Sequence, residues 1–147
     1  MKSKIPWSRY ALLAELMHRC PYHGSTALQR MVFLLQELYG VALGYRFSLY
    51  AHGPVSADLL MDLALVESIG PDALRGKVDA AIYEPLEKLI ADFGFYSTKD
   101  LELRATIFCA VKDTSKSTIF STVRALKPLF TDIEIQQAID EMLGVGL

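Results

Sequence analysis

The chain has 147 residues, 15 of them basic and 17 acidic, and 52 % apolar. That length fits one domain spanning 1–147, able to bury about two-thirds of its unfolded surface without disulfide or metal staples, and the apolar content excludes intrinsic disorder. The net charge of −2 is unevenly spread, from +4 over residues 1–30 and +3 over 97–128 to −4 over 129–147, and it lacks the overall basicity of a nucleic-acid binder.

The opening "MKSKIPWSRYALLAEL" is basic, but Arg9 and Glu15 interrupt any apolar run, so it reads poorly as a signal peptide. Trp7 to Cys20 reads as a helix with Leu12, Leu13, Leu16 and Met17 at helical spacing, ended by Pro21. In "TALQ" Thr26 and Gln29 have the spacing of a capping box, which predicts a helix start at Thr26. The run from Leu28 to Tyr39 is apolar nearly all round, with Gln29, Arg30, Gln36 and Glu37 as a thin polar stripe; such a helix is central, and Gly40 stops it. Its greasiest stretch contains Gln36 and Glu37 and falls short of the ~18 residues that cross a membrane, so no membrane contact is expected.

Tyr45 to Ala51 alternates as a short strand: Tyr45, Phe47, Leu49 and Ala51 on one face, Arg46, Ser48, Tyr50 and His52 on the other. Gly53-Pro54 breaks it, and Ser56 caps a helix with Asp58 in its first turn and Leu59, Leu60, Leu63, Val66 and Ile69 on its buried side. "ALRGKVDAAIY", residues 73–83, reads as helix, and Pro85 fits the first turn of another, "PLEKLIADF", closed by Gly94. Ser97 caps "TKDLELRATIFCAVKD", Ser115 opens "KSTIFSTVRAL", and Thr131 with Glu134 forms a capping box that opens a last helix closed by Gly144. The expected fold is mainly α: six or seven helices in one domain with a small β element near 45–51.

Few residues carry chemistry. Asp58 and Asp62 lie four apart on one helix face and repel, so a cation is expected beside them, from Arg46 or Arg30. Two readings of the polar strand face stay open: an ion-pair lock in which Arg46 holds the strand on the helix, or an edge that docks a partner. "HRCPYH" gathers His18, Cys20 and His23 but lacks the ligand number and spacing of a zinc site, so no metal is expected. Cys20 and Cys109 stand apart in apolar helical patterns, as free thiols do in a reducing cytoplasm. "GPDALRGKV" is one residue too long for a phosphate loop and has Val78 where a magnesium-binding hydroxyl belongs. No nucleophile elbow, HExxH or dinucleotide fingerprint occurs, so neither an enzyme nor a cofactor is expected. Residues 115–143 have the outline of a helix-turn-helix, with Lys116, Ser121, Arg124 and Lys127 as phosphate contacts, but the second helix offers acids, which face phosphates badly.

The stretch "LQRMVFLLQELYGVALGYRFSLYAHGPVSADL" resembles the core of the YwgA-type family of prokaryotic and phage proteins, and more distantly the Panacea domain: an apolar helix, an aromatic strand, then a Gly-Pro-Val-Ser turn into a helix. "LKPLFTDIEIQQAIDEML" resembles the YwgA-type ending. The YwgA-type proteins bring no established activity. The Panacea resemblance implies an antitoxin-like module or an adaptor: a non-enzymatic, cytoplasmic regulator that binds a protein partner, encoded nearby, or pairs with a second copy. The polar strand face and the turn after it supply the partner-binding candidates Arg46, Tyr50, His52, Gly53, Pro54, Val55, Ser56 and Asp58, of which Gly53, Pro54 and Val55 match the Panacea turn. After Gly70 the chain departs from both families, which have a β-hairpin wing there. The alternative is a DNA-binding regulator using the helix pair 115–143.

Overall fold

Nine consecutive residues, Ala27 to Leu35, are buried, and the rest of the molecule is built around them. The computed structural model describes residues 7–50, 53–113 and 118–146. Among these, the order is α1 Trp7–Arg19, α2 Ser25–Glu37, β1 Ser48–Tyr50, β2 Gly53–Val55, α3 Ala57–Ile69, two single 3₁₀ turns, then α4 Ala80–Phe93, α5 Thr98–Asp113, α6 Ile119–Leu126 and α7 Asp132–Gly144. The class is the expected one, mainly α with one small antiparallel hairpin.

α2 packs on α5, α4, α3 and β2; α5 in turn carries α6, α7 and β2, and α1 leans on α3 and the 3₁₀ turns. One hydrophobic cluster runs from Leu12 of α1 to Met142 of α7, with Leu16, Met31, Leu34, Leu35, Leu101 and Ile107 fully enclosed. Burying each such side chain is worth about 1.5–3 kcal/mol, so this shared cluster is a large part of what holds the helices together. Cys20 is buried and Cys109 half-buried, and the two form no disulfide. No helix among the described residues is long and apolar enough to cross a membrane.

Several local expectations need correction. α2 starts two residues early, with Gly24 at its N-cap and no side-chain cap, so Thr26 lies inside the helix. Leu28 N–H already bonds Gly24 O at 3.0 Å, and Thr26 has no end to cap. Residues 53–55 are strand, not the break after one: Tyr50 pairs with Gly53, Leu49 with Pro54 and Ser48 with Val55. Tyr45 to Phe47, read as strand, precede the ladder. The helix expected over 73–83 is helical only from Ala80; before it come two 3₁₀ turns, Pro71–Ala73 and Arg75–Lys77, that brace α1. α4 then begins at Ala80, capped by Asp79 accepting from Ala81 N–H, so Pro85 sits inside the helix. Leu86, Leu89 and Phe93 pack the helix down and outweigh the one bond that Pro85 forgoes. The Ser115 start lies outside the described residues. Ser56, Ser97 and Thr131 cap as expected, Thr131 with its reciprocal bond from Glu134.

Candidate functional site

The approach from α2 to α3 is fixed by one side chain. Gln36 donates to Tyr45 O at 2.9 Å and accepts from Tyr45 N–H at 3.0 Å, holding both backbone groups of a residue outside any strand. Tyr45 thereby points its ring inward and is 5 % exposed. Its hydroxyl donates to Asp62 of α3 at 2.7 Å. Arg9 of α1 completes the cluster: Nη2 lies 3.0 Å from the same Asp62 oxygen, Nη1 donates to Leu43 O at 3.2 Å, and the guanidinium stacks 4.5 Å from the Tyr45 ring centre. Burial, and then the bond to Asp62, push the Tyr45 phenol well above its ordinary range, with Arg9 opposing. This phenol stays protonated and acts as a donor.

The cation expected beside Asp62 therefore comes from α1. Arg46 is exposed and makes no ion pair among the described residues, so the Arg46 lock is replaced by an Arg9 lock. Arg30 is directed elsewhere. It is 2 % exposed, donates to Thr26 O at 3.3 Å and lies 4.0 Å from Glu102 of α5. Lys127, 7 % exposed, lies 3.4 Å from the other Glu102 oxygen, so one carboxylate serves two buried cations. Burial pulls the Arg30 guanidinium below its ordinary value, with Glu102 compensating in part.

That cluster accounts for Gly53. Its φ is +103°, and a Cβ there would fall 3.0 Å from Arg30 Nε. Pro54 is buried and in a trans bond, Val55 is half-buried, and Ser56 is 1 % exposed with its N–H bonded to Gln29 Oε1 at 2.9 Å. Of the partner-binding candidates, Gly53, Pro54 and Ser56 thus belong to the interior, and Arg46 and Asp58 stand on the surface. His52 and the side chain of Tyr50 lie outside the described residues.

The nucleic-acid candidates fare similarly. Arg124 bonds Asp132 at 2.7 Å and the carbonyls of Lys127 at 3.1 Å and Pro128 at 2.8 Å, tying the α6–α7 turn. Ser121 donates to Thr118 O at 3.0 Å, and Lys127 is buried against Glu102. Lys116 lies outside the described residues. Of the three described side chains, Lys127 is buried, Arg124 half-buried and Ser121 exposed. Around His18, Cys20 and His23, His18 is exposed and Cys20 fully buried, and no group of metal-ligating side chains forms among the described residues.

The surface that the sequence did not single out is on α3. Leu59, Asp62, Leu63 and Val66 form a narrow buried stripe. Leu60, Met61, Leu65 and Ile69 are 42, 71, 41 and 45 % exposed, so Leu60 and Ile69, expected in the core, face outward. Beside them a cleft of 590 Å³ runs between α3 and the α1–α2 corner, its apolar lining including Met17, Leu28, Leu60 and Leu63 and its polar lining His23 and Glu67. The signal for this was present in "ADLLMDLALVESI": apolar residues occur on every side of that helix, and a core needs only one.

No family model, curated protein or solved structure matches the chain.

Proposed function

We propose that the chain is a non-enzymatic protein-interaction module, an antitoxin-like or adaptor regulator that works in the cytoplasm on a protein partner encoded nearby. The observation that carries this is α3, a helix apolar on every side of which the fold covers one stripe. A contiguous uncovered apolar face of this kind marks an interaction site. The non-enzymatic part rests on where the polar side chains go. Arg9, Tyr45 and Asp62 bind one another, and Arg104 holds Glu141, so these groups tie the fold together. The antitoxin-like or adaptor class rests on the resemblance of the Gly-Pro-Val-Ser segment and its flanks to the Panacea domain.

Co-expression with the products of neighbouring genes tests it. The expected result is a stoichiometric complex that survives size-exclusion chromatography, with loss of the partner's toxicity or its delivery to a protease. A chain that stays alone beside every neighbour, and binds duplex DNA with sub-micromolar affinity and a steep salt slope, overturns it in favour of a DNA-binding regulator.

A further inference from the structure

The uncovered face of α3 has a charge signature as well as an apolar one. Between Arg46 and Arg75 the sequence contains no Lys or Arg, and on α3 both Asp58 and Glu67 are exposed. Asp62, the third acid of the helix, is neutralised internally by Arg9 at 3.0 Å. The face is therefore an apolar strip with one acid near each end and no base among them. The cleft lies along its flank, and Ala64, shared by strip and cleft, leaves room for a backbone to approach closely.

We infer that this face and its cleft hold an amphipathic helix of a partner protein, with an apolar stripe laid along Leu60, Met61 and Ala64 and Lys or Arg residues flanking the stripe to meet Asp58 and Glu67. Helix-in-groove recognition uses apolar anchors at i, i+3, i+4 and i+7, and the cleft beside Leu60 and Leu63 takes one anchor. Like charges juxtaposed across an interface cost several kcal/mol and reject wrong partners. That argument disfavours a second copy seated symmetrically on the same face, since its own Asp58 and Glu67 would meet these acids. A small apolar ligand would fill the cleft and leave Met61 and Leu65 uncovered. This inference rests on the interaction-module reading and specifies the partner's chemistry.

The test uses the full chain and a panel of labelled helical peptides with a Leu stripe flanked by Lys, a second panel with Glu in place of Lys, and scrambled versions, followed by fluorescence anisotropy at physiological salt. Basic members of the panel bind, and their Glu and scrambled twins bind at least roughly tenfold more weakly. Ala64→Arg and Met61→Glu, both at exposed positions, abolish binding with an unchanged melting temperature, and Glu67→Lys shifts preference toward the Glu panel. Equal binding by all panels, binding that survives Ala64→Arg, or no binding by any basic peptide overturns the inference. So does a dimer in sedimentation velocity that Met61→Glu dissolves, which assigns the face to a second copy. Failure of the broader reading looks different: then no neighbouring gene product forms a complex at all. If only this surface is wrong, the complex forms and survives Ala64→Arg and Glu67→Lys.

Discussion

Arg9 and Arg46 illustrate how a charge is assigned by geometry and not by proximity in sequence. Arg46 is closer in sequence to Asp62, yet it points into solvent, and Arg9 crosses from α1 to take the carboxylate. Removing Arg9 leaves Asp62 and the Tyr45 hydroxyl without their cation. Arg9→Ala should cost about 3 kcal/mol, at the low end for a buried pair because Arg9 keeps some solvent contact. Arg46→Ala should stay within about 0.5 kcal/mol. Urea denaturation of the two variants checks this, and equal costs would remove the Arg9 lock. Gly53 is the second decisive residue. Its positive φ and the approach of Arg30 both exclude a side chain, so Gly53→Ala should lower stability by about 1–3 kcal/mol. A melting temperature equal to that of the parent chain would show that the hairpin relaxes freely around a Cβ.

Among the elements, capping was legible at Ser56, Ser97 and Thr131, each at a true helix start, whereas Asp79 at the start of α4 was missed. Thr131 and Glu134 bond reciprocally, at 3.1 Å and 2.9 Å, and Thr131→Ala should cost about 1 kcal/mol by thermal melt. That variant should also raise the Glu134 carboxyl, which the backbone N–H and hydroxyl of Thr131 now hold below its ordinary value. Nuclear magnetic resonance titration of the two forms reads the shift directly. Thr26 shows the limit of the same pattern: the spacing to Gln29 is right, but Gln29 is pulled away to hold Ser56, and the helix starts earlier. Pro85 was misplaced for a related reason. Propensity places proline in a first turn, and three buried apolar residues downstream override it. The two strands were half legible, because alternation marks β1 but gives no sign that a Gly-Pro pair turns back onto it as β2. The candidate site was less legible than the fold. Burial on one side of α3 depends on how many neighbours reach it, and no local pattern encodes that number.

For the whole molecule, the acid limb of stability should show two steps. The His23 ring packs against Tyr22 with ring centres 4.6 Å apart, and burial lowers its pKa below the ordinary 6.5, with the Gly94 carbonyl opposing. The unfolded chain then binds a proton in a range where the folded chain does not, so stability falls as pH drops below about 6.5. Glu141 works in a lower range. Burial opposes its charge, but the Tyr96 hydroxyl and Arg104 overcome this and hold it below the ordinary 4.5. A carboxylate lowered in this way contributes stability above its unfolded pKa that is lost as pH falls through the folded value. His23→Gln should abolish the first step and keep the second, in melts recorded from neutral pH down to about 3. A first step unchanged in His23→Gln would assign it to another group.

The grip of Gln36 on Tyr45 has a consequence for the timescale on which the molecule opens. Amides in connecting segments normally exchange with solvent deuterium through small local openings. The Tyr45 amide must first break from Gln36, and that release also strains the Tyr45–Asp62 bond and the stacked Arg9. It should therefore exchange at a rate close to that of the α2 core amides, far slower than Arg46 or Phe47 beside it. In Gln36→Ala the Tyr45 protection should fall to the level of those neighbours while the amides of Met31 to Leu35 keep theirs. Fast exchange of Tyr45 in the parent chain would mean that the segment before the hairpin opens independently of the core.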